Sequence, residues 1–192
     1  MDYKRILTIQ DISCFGQCSL TVALPIISAA KIETAVIPTA VLSTHTGGFQ
    51  GFTFRDLTDD MPDIVAHWQK EGIAFDAIYT GYLGSVRQAQ MVEHIIKTLL
   101  KPGGLKIVDP AIGDNGRLYA GLDDSLVGAM RHLCSLADVI LPNITEACFL
   151  TGTEYKTEYD RAYIDSLLAG MTALGAKNVI LTGVSYRPGK TG

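Results

Sequence analysis

Residues 5–38 read RILTIQDISCFGQCSLTVALPIISAAKIETAVIP, and this stretch decides the fold of the chain. Two short runs rich in β-branched residues, Arg5–Gln10 and Ala35–Pro38, are typical of strands. Between them, Ser19–Ala30 carries apolar residues at steps of three and four, which predicts a helix. A strand, a helix and a second strand in this order predict a right-handed crossover between two parallel strands.

The same alternation continues along the rest of the sequence. The further predicted strands are Ala77–Thr80, Lys106–Val108, Val139–Leu141 and Asn178–Thr182. The further predicted helices are Pro62–Glu71, Val86–Leu100, Ser125–Leu136, Thr145–Leu150 and Arg161–Leu174. This pattern predicts an α/β fold, a doubly wound and mostly parallel sheet with helices on both faces. We expect residues 1–192 to form a single domain of this kind.

The segment 44–57 interrupts the alternation. It reads THTGGFQGFTFRDL, is rich in glycine, and alternates only weakly between apolar and polar residues. We interpret it as a flap or small hairpin beside the sheet, over the ligand site. His45 within it either contacts a heteroaromatic ligand or shapes the flap.

Composition and charge limit the partners and the compartment. The chain has 192 residues, of which 47% are hydrophobic and 19% charged, with a formal net charge of −4. This balance provides no basic surface for a phosphate backbone, so we expect no nucleic acid partner. The first apolar run, Ile6–Ile9, is too short for a signal peptide or a spanning helix, so we expect no membrane contact. No Cys-x-x-Cys pair occurs, which favours reduced thiols and a cytoplasmic location; the cysteines are Cys14, Cys18, Cys134 and Cys148.

Polar residues cluster where four predicted strands end. The clusters begin at Gln10, Thr80, Asp109 and Pro142. Ligands of open α/β sheets bind outside the carboxyl ends of the strands. We therefore expect these clusters to converge on one ligand-binding edge.

Three carboxylates in two of these clusters suggest phosphate chemistry. Asp109, Asp114 and Glu146 are suited to a magnesium ion, because magnesium prefers oxygen ligands and keeps several waters. Asn143-x-x-Glu146 also fits a capping box, with Asn143 as the N-cap and Glu146 reaching back to it. The two interpretations are compatible and both stay open. Ser85-x-x-Gln88 has the same spacing without flanking acids, so we assign it mainly to capping.

Two nucleotide-binding motifs are excluded. Gly189-Lys190-Thr191 looks like the end of a P-loop, but Val184 stands where that motif needs glycine, and Pro188 lacks a backbone N–H. We expect a solvated turn there. No Gly-x-Gly-x-x-Gly follows the first strand, which argues against an NAD-linked dehydrogenase.

Taken together, these residues resemble the pyridoxal kinase group of the ribokinase-like superfamily, whose members phosphorylate vitamin B6 forms with ATP. The resemblance covers essentially the whole chain, and each segment alone is weak. What makes it specific is the shared order of five segments: Ile9-Gln10; His45-Thr46-Gly47; Gly81-Tyr82; Asp109-Pro110 with Gly113-Asp114; and Ala137-Asp138-Val139-Ile140 leading into Pro142-Asn143 and Glu146.

The resemblance implies two sets of binding residues. Those expected to hold the pyridine ring of a B6 form are Asp11, Thr46, Gly47 and Tyr82. Those expected to face the phosphates of ATP and a Mg²⁺ ion are Asp109, Asp114, Asn143 and Glu146, with Tyr119 and Thr182 along the nucleotide. Better-known members of the group have serine at the position of Asp11. We expect its carboxylate to affect how the ring, or its aminomethyl or aldehyde group, is held.

The catalytic segment of that group does not occur in this sequence. In the group, a Gly-x-Gly-Asp segment follows the last strand seen here; its Asp deprotonates the substrate hydroxymethyl, and its helix N-terminus cradles the phosphoryl group. We therefore expect the catalytic Asp beyond Gly192, no catalytic residue among those present, and a C-terminally truncated domain.

Two alternatives to a B6 kinase stay open. A hydroxymethylpyrimidine kinase has the same architecture and a similar ring as substrate, whereas a non-catalytic vitamin-binding module needs no catalytic segment. For the leading interpretation, the expected partners are a B6 form and ATP, and the apolar flap together with the resemblance favours a homodimer.

Overall fold

A computed structural model describes residues 4–186, which form nine strands and six helices. The predicted turn at Gly189-Lys190-Thr191 lies outside the described residues. The chain divides into two compact units, Met1–Lys106 and Ile107–Gly192. Within residues 4–186, no helix has both the length and the apolar character that crossing a bilayer requires.

The first unit contains the crossover predicted from residues 5–38. Strand β1 (Arg5–Ser13) pairs in parallel with β2 (Glu33–Leu42), and helix α1 (Leu20–Ala29) connects them. Strand β3 (Phe54–Asp56) pairs antiparallel with β2, and β4 (Phe75–Thr80) pairs in parallel with β1. Helix α2 (Met61–Lys70) precedes β4, and α3 (Val86–Leu99) follows it.

Three strands of this unit, β1, β2 and β4, bury apolar side chains, whereas β3 is exposed. Leu7 and Ile9 of β1, Ile37 of β2 and Phe75 of β4 are fully buried. Parallel strands covered on both faces have near-continuous apolar runs, and this explains why β1 lacks a simple alternation. The predicted strand Arg5–Gln10 continues for three more residues, to Ser13.

The segment 44–57 contains the return strand of a hairpin. Phe54 of β3 pairs with Leu42, and Asp56 pairs with Ala40, so residues 43–53 form the loop beside the sheet. A small hairpin at this place agrees with the sequence-based interpretation. Its position over a ligand site stays a prediction.

The second unit is built around a shorter parallel arrangement. The last residues of β5 (Leu100–Val108) lead into a hairpin of β6 (Gly113–Asp114) and β7 (Arg117–Leu118), which we did not predict. Helix α4 (Asp124–Ser135) follows. Strand β8 (Val139–Ile140) then pairs in parallel with β5 and with β9 (Asn178–Val179), and the connection holds helices α5 (Ile144–Thr151) and α6 (Arg161–Ala173). The α/β class and the mostly parallel strand pairing are thus confirmed.

Helix starts agree with the predicted ones within one residue, and side-chain caps mark four of the six. The cap oxygens of Ser85, Asp123, Asn143 and Asp160 accept backbone N–H groups in the first turns of α3, α4, α5 and α6. The capping role assigned to Ser85 is confirmed. Gln88 does not return to it: its amide nitrogen donates to the Thr39 carbonyl (3.0 Å) and the Thr58 hydroxyl (2.9 Å).

Candidate active site

A polar cavity of about 320 Å³ lies in the second unit. It is at the carboxyl ends of β5 and β8, the position where α/β sheets bind ligands. Five of the six residues predicted for the nucleotide line this single cavity. The full lining consists of Asp109, Ala111, Tyr119, Leu141, Asn143, Glu146 and Thr182.

Glu146 forms one wall of the cavity and also closes the cap of α5. Its Oε2 accepts the backbone N–H of Asn143 at 2.8 Å, and the Asn143 Oδ1 accepts the backbone N–H of Glu146 at 2.9 Å. The capping box is therefore confirmed. The second carboxylate oxygen, Oε1, accepts the N–H of Ile112 at 3.2 Å. Glu146 thus ties the start of α5 to the segment after β5.

Burial dominates the electrostatics of this carboxylate. It raises the pKa of Glu146 to about 8; the N–H donors of Asn143, Gly113 and Ile112 oppose that shift, and the charge of Asp109 adds to it. Glu146 is only 3% exposed, so solvent does little to stabilise its charged form. A cation entering the cavity would therefore favour ionisation of Glu146.

The same carboxyl groups also affect the phenol of Tyr119. Burial raises its pKa to about 12, and the carboxylates of Glu146, Asp114 and Asp109 contribute further. Its phenol therefore stays protonated near neutral pH and is available as a hydrogen-bond donor. The cavity as a whole favours cationic groups or an anion that arrives with a metal ion.

Asp114 differs from the other predicted metal ligands because it does not line the cavity. It is exposed on β6, where its carboxylate accepts the backbone N–H of Asn115 at 2.8 Å and the Asn115 amide at 2.9 Å. Across residues 4–186, no three or more His, Cys, Asp or Glu side chains are grouped so as to hold a metal ion. Asp109 and Glu146 are the carboxylates that this cavity offers. Two carboxylates suit a magnesium ion that keeps several waters and shares phosphate oxygens.

The remaining lining residues are positioned by local bonds. The Asn143 amide donates to the Gly113 carbonyl at 2.9 Å, and the Thr182 hydroxyl donates to the Pro142 carbonyl at 3.3 Å. Thr145 accepts the N–H of Gly116 at 3.0 Å, which fastens the β6–β7 hairpin to the start of α5. Sequence reasoning missed this hairpin, although Asn115-Gly116, both at positive φ, is a strong turn signal.

In the first unit, the carboxylate of Asp11 lies near enough to the Tyr82 phenol to oppose its ionisation. Asp11 is 5% exposed and sits at a bulge, where the register between β1 and β2 shifts between Gln10 and Ile12. Tyr82 follows β4; burial raises the pKa of its phenol, and the carboxylates of Asp11 and Asp56 raise it further. These two predicted ring-binding residues therefore share one neighbourhood.

The other two predicted ring-binding residues, Thr46 and Gly47, are exposed in the hairpin loop. Beside them, the ring of His45 packs edge-on against Phe49 at 5.0 Å, and its backbone N–H donates to the Phe15 carbonyl at 3.2 Å. These contacts support the interpretation that His45 shapes the flap. Its contact with a heteroaromatic ligand stays a prediction.

Two hydroxyls without a predicted role of their own stand out because their oxygen atoms are buried. Thr80 ends β4 and Thr44 follows β2, and the side-chain oxygen of each is buried without a hydrogen-bond partner among the described residues. Only their position at strand ends could have suggested them. Unsatisfied buried polar atoms are rare in proteins and point to an absent partner.

Known proteins resemble this chain in sequence. A family model described as phosphomethylpyrimidine kinase matches residues 23–191. A pyridoxine/pyridoxal/pyridoxamine kinase of Bordetella pertussis is 30% identical over 205 residues, which cover 96% of this chain and 67% of that protein. The chain spans about half to two thirds of the length of the curated relatives it matches.

Solved structures resemble it in fold. A candidate phosphomethylpyrimidine kinase of Bacteroides thetaiotaomicron, crystallised with pyridoxal, has 45% identity and a TM-score of 0.92, covering 98% of this chain and 65% of its own. A pyridoxal kinase of Lactobacillus plantarum has 38% identity and a TM-score of 0.86, covering 98% of this chain and 66% of its own. The arrangement of strands and helices is therefore one that kinases of this type use.

Proposed function

This chain belongs to the phosphomethylpyrimidine kinase family, and on that premise we propose that it carries the ligand sites of an ATP-dependent kinase acting on vitamin B6. The proposed reaction transfers the γ-phosphoryl group of ATP to the hydroxymethyl group of pyridoxal, pyridoxamine or pyridoxine. The relatives from B. pertussis and L. plantarum, both described as kinases of these compounds, support B6 as the substrate class.

The observation that carries the proposal is the cavity of the second unit. It combines two carboxyl groups, those of the half-buried Asp109 and the buried Glu146, with hydrogen-bonding groups at Tyr119 and Asn143. A bare phosphate would be repelled by this lining, whereas a nucleotide accompanied by a divalent cation matches it. Positioning and charge neutralisation are the main tasks of a protein in phosphoryl transfer.

In this proposal, Asp109 and Glu146 would hold Mg²⁺, and the bound ion would supply charge neutralisation at the phosphates. Asn143 fixes the position of Glu146 and of the segment at Gly113 in the cavity wall, and Tyr119 and Thr182 lie along the nucleotide. Asp114 is placed outside the lining, so its proposed contribution is a long-range negative charge.

The proposed B6 site is formed by Asp11 and Tyr82 at the sheet edge and by Thr46 and Gly47 in the hairpin loop. In the transfer, the hydroxymethyl oxygen bonds to the γ-phosphorus while the bond to the β–γ bridging oxygen breaks and ADP leaves. The proton of the hydroxymethyl passes to a base that we assign to no residue of this chain. Residues 4–186 thus serve binding and orientation in our proposal.

We also propose a cytoplasmic location and a homodimer. The four cysteines are unpaired, which suits a reducing compartment. Large apolar side chains are exposed at Phe15, Ile26, Phe49 and Phe54, and exposed apolar groups favour association. Sedimentation equilibrium at several concentrations tests the dimer, and a monomer at all of them rules it out.

A transfer assay tests the proposed activity. The protein is incubated with MgATP and each of the three B6 forms, and the 5'-phosphate product is quantified by chromatography. Product from at least one B6 form supports the proposal. Because we assign the base to no residue of this chain, the decisive outcome for the alternative is nucleotide binding: a chain that binds a B6 form but not MgATP is a vitamin-binding module instead.

A pyrimidine kinase is the second candidate, because the matched family model is described by that activity. The same assay with hydroxymethylpyrimidine separates the two. A kcat/KM for hydroxymethylpyrimidine well above those for all three B6 forms would replace our assignment.

A further inference from the structure

The first unit contains a buried carboxylate whose hydrogen-bonding capacity is only half used. Asp11 is 5% exposed, and its Oδ2 accepts the Ser13 hydroxyl at 3.3 Å. Its Oδ1 is buried and finds no hydrogen-bond partner among residues 4–186. Burying a carboxylate oxygen without a donor is costly, so a fold keeps it only where something else supplies the donor.

Asp11 lies within β1, opposite an irregularity in the pairing with β2. Gln10 pairs with Pro38 of β2 and Ile12 pairs with Val41, so β2 has two residues opposite Asp11 alone. Proline has no N–H and cannot continue the ladder at this point. Bulges are frequent beside active sites.

Two further buried oxygens lie at the ends of the neighbouring strands. Thr80 pairs with Ile9, and Asp11 is two residues beyond Ile9, so Thr80 and Asp11 share one face of the sheet. Thr44 follows the end of β2, which pairs with β1 up to Ser13. The hydroxyl oxygens of Thr80 and Thr44 have no partner among the described residues. At or near the carboxyl end of each of three adjacent strands, β2, β1 and β4, there is therefore a buried oxygen without a hydrogen-bond partner among the described residues.

We infer that Asp11 selects a substrate with a positively charged nitrogen, whose N–H donates to the Oδ1 of Asp11. This inference rests on the proposed function and names the form of the substrate. A carboxylate accepts hydrogen bonds only, and a charged donor offsets its buried charge as well as filling the empty bond. The threonine hydroxyls donate or accept, so they accommodate the polar substituents around the charged nitrogen.

Two nitrogens of B6 compounds have this chemistry. One is the protonated ring nitrogen, which pyridoxine, pyridoxal and pyridoxamine all contain. The other is the aminomethyl ammonium, which among the three occurs only in pyridoxamine. A comparison of pyridoxamine with pyridoxine therefore tells which nitrogen Asp11 contacts.

The test is titration calorimetry of the full chain with pyridoxamine and with pyridoxine, in the wild type, Asp11→Asn and Asp63→Asn. Asp63 is exposed in the first turn of α2, so its variant controls for the loss of one negative charge. Loss of a charge-assisted bond should weaken binding by on the order of tenfold to a hundredfold in Asp11→Asn and leave Asp63→Asn unchanged. If both compounds lose affinity, the ring nitrogen is the partner. If pyridoxamine alone loses affinity, the ammonium is the partner.

Thermal unfolding of the ligand-free protein separates this role from a structural one. Asn keeps the shape of Asp and removes the unpaired charge, so Asp11→Asn should unfold at the same temperature as the wild type or higher. If Asp11→Asn does not fold, Asp11→Ser replaces it in the calorimetry. This variant also removes the charge, so it should lose affinity for the same compounds.

The inference is wrong if Asp11→Asn binds both compounds as the wild type does, if pyridoxine alone loses affinity, or if unfolding shifts to lower temperature. A wild-type chain that binds neither compound overturns the proposed function and this inference with it. A wild-type chain that binds both, with no effect of Asp11→Asn, overturns the inference alone.

Discussion

Asn143 and Glu146 form two reciprocal hydrogen bonds. The Asn143 side chain accepts the backbone N–H of Glu146 at 2.9 Å, and the Glu146 side chain accepts the backbone N–H of Asn143 at 2.8 Å. The same two side chains line the polar cavity of the second unit. The beginning of α5 and the candidate nucleotide site are thus built from one pair of residues. Capping is confirmed, and metal binding by Glu146 stays a prediction that capping does not oppose.

Glu146→Gln should change how stability depends on pH. The folded-state pKa of Glu146 is raised to about 8 from 4.5, so the folded protein holds the proton that the unfolded chain releases. The resulting stabilisation is complete below about pH 4.5 and is lost as pH rises to about 8. The free energy of unfolding should therefore fall by roughly 1–3 kcal/mol more in the wild type than in Glu146→Gln between these pH values. Urea unfolding at pH 5 and pH 8 measures the difference.

Glu158→Gln is the matched control. Glu158 is exposed, so the free energy of unfolding of this variant should depend on pH as that of the wild type does. If the free energy of unfolding changes equally with pH in the wild type and in Glu146→Gln, Glu146 is ionised in the folded protein at neutral pH.

Asp109→Asn should lower kcat in the transfer assay on the order of tenfold to a hundredfold, and should raise the magnesium concentration needed for half-maximal rate. The amide keeps the shape of the side chain but not the charge that a metal needs. Asp114→Asn should have a smaller effect, because Asp114 does not line the cavity. Steady-state kinetics at varied Mg²⁺ check both, with the exposed Asp165→Asn as control. Unchanged kcat and magnesium dependence in Asp109→Asn would leave Asp109 as a residue that only ends β5.

Thr46→Val should weaken pyridoxal binding without altering the fold. Valine keeps the branched shape and removes a hydroxyl that we expect to bond a ring substituent. Losing a neutral hydrogen bond costs roughly 0.5–1.5 kcal/mol, and more if a charged group is left unpaired. Thr46 is exposed, so the unfolding temperature should stay the same. Titration calorimetry decides the matter, and equal affinities would mean that the hydroxyl does not contact the ring.

Gly16→Ala should destabilise the flap, because Gly16 has a φ of +103° and an added Cβ would overlap the His45 ring. Gly48→Ala provides a matched comparison: its φ is +82°, but no atom lies within 4 Å of the added Cβ. Both variants carry backbone strain of about 1–2 kcal/mol, and only Gly16→Ala must also displace His45. The unfolding temperature and the affinity for pyridoxal should therefore both fall further in Gly16→Ala than in Gly48→Ala. Equal losses in the two variants would show that His45 moves aside at no cost.

The sequence by itself determined most of the order of strands and helices, and the helix starts to within one residue, because these depend mainly on neighbours along the chain. Apolar periodicity located α1 to α6, and caps such as Ser85 and Asn143 marked where helices begin. Even the missed hairpin at Asn115-Gly116 had a local signal. Five of the six predicted nucleotide-site residues line one cavity for a related reason, since the carboxyl ends of parallel strands meet at one edge.

Only the tertiary structure decided the chemical state of these residues. Glu146 reaches a pKa of about 8 because segments distant in sequence exclude water from it, and Asp114, equally acidic in the sequence, stays exposed. The Oδ1 of Asp11 is buried without a partner among the described residues, at the point where the register of β1 and β2 shifts. Burial and unsatisfied hydrogen bonds arise from the packing of non-neighbouring groups, and residue types alone do not record them.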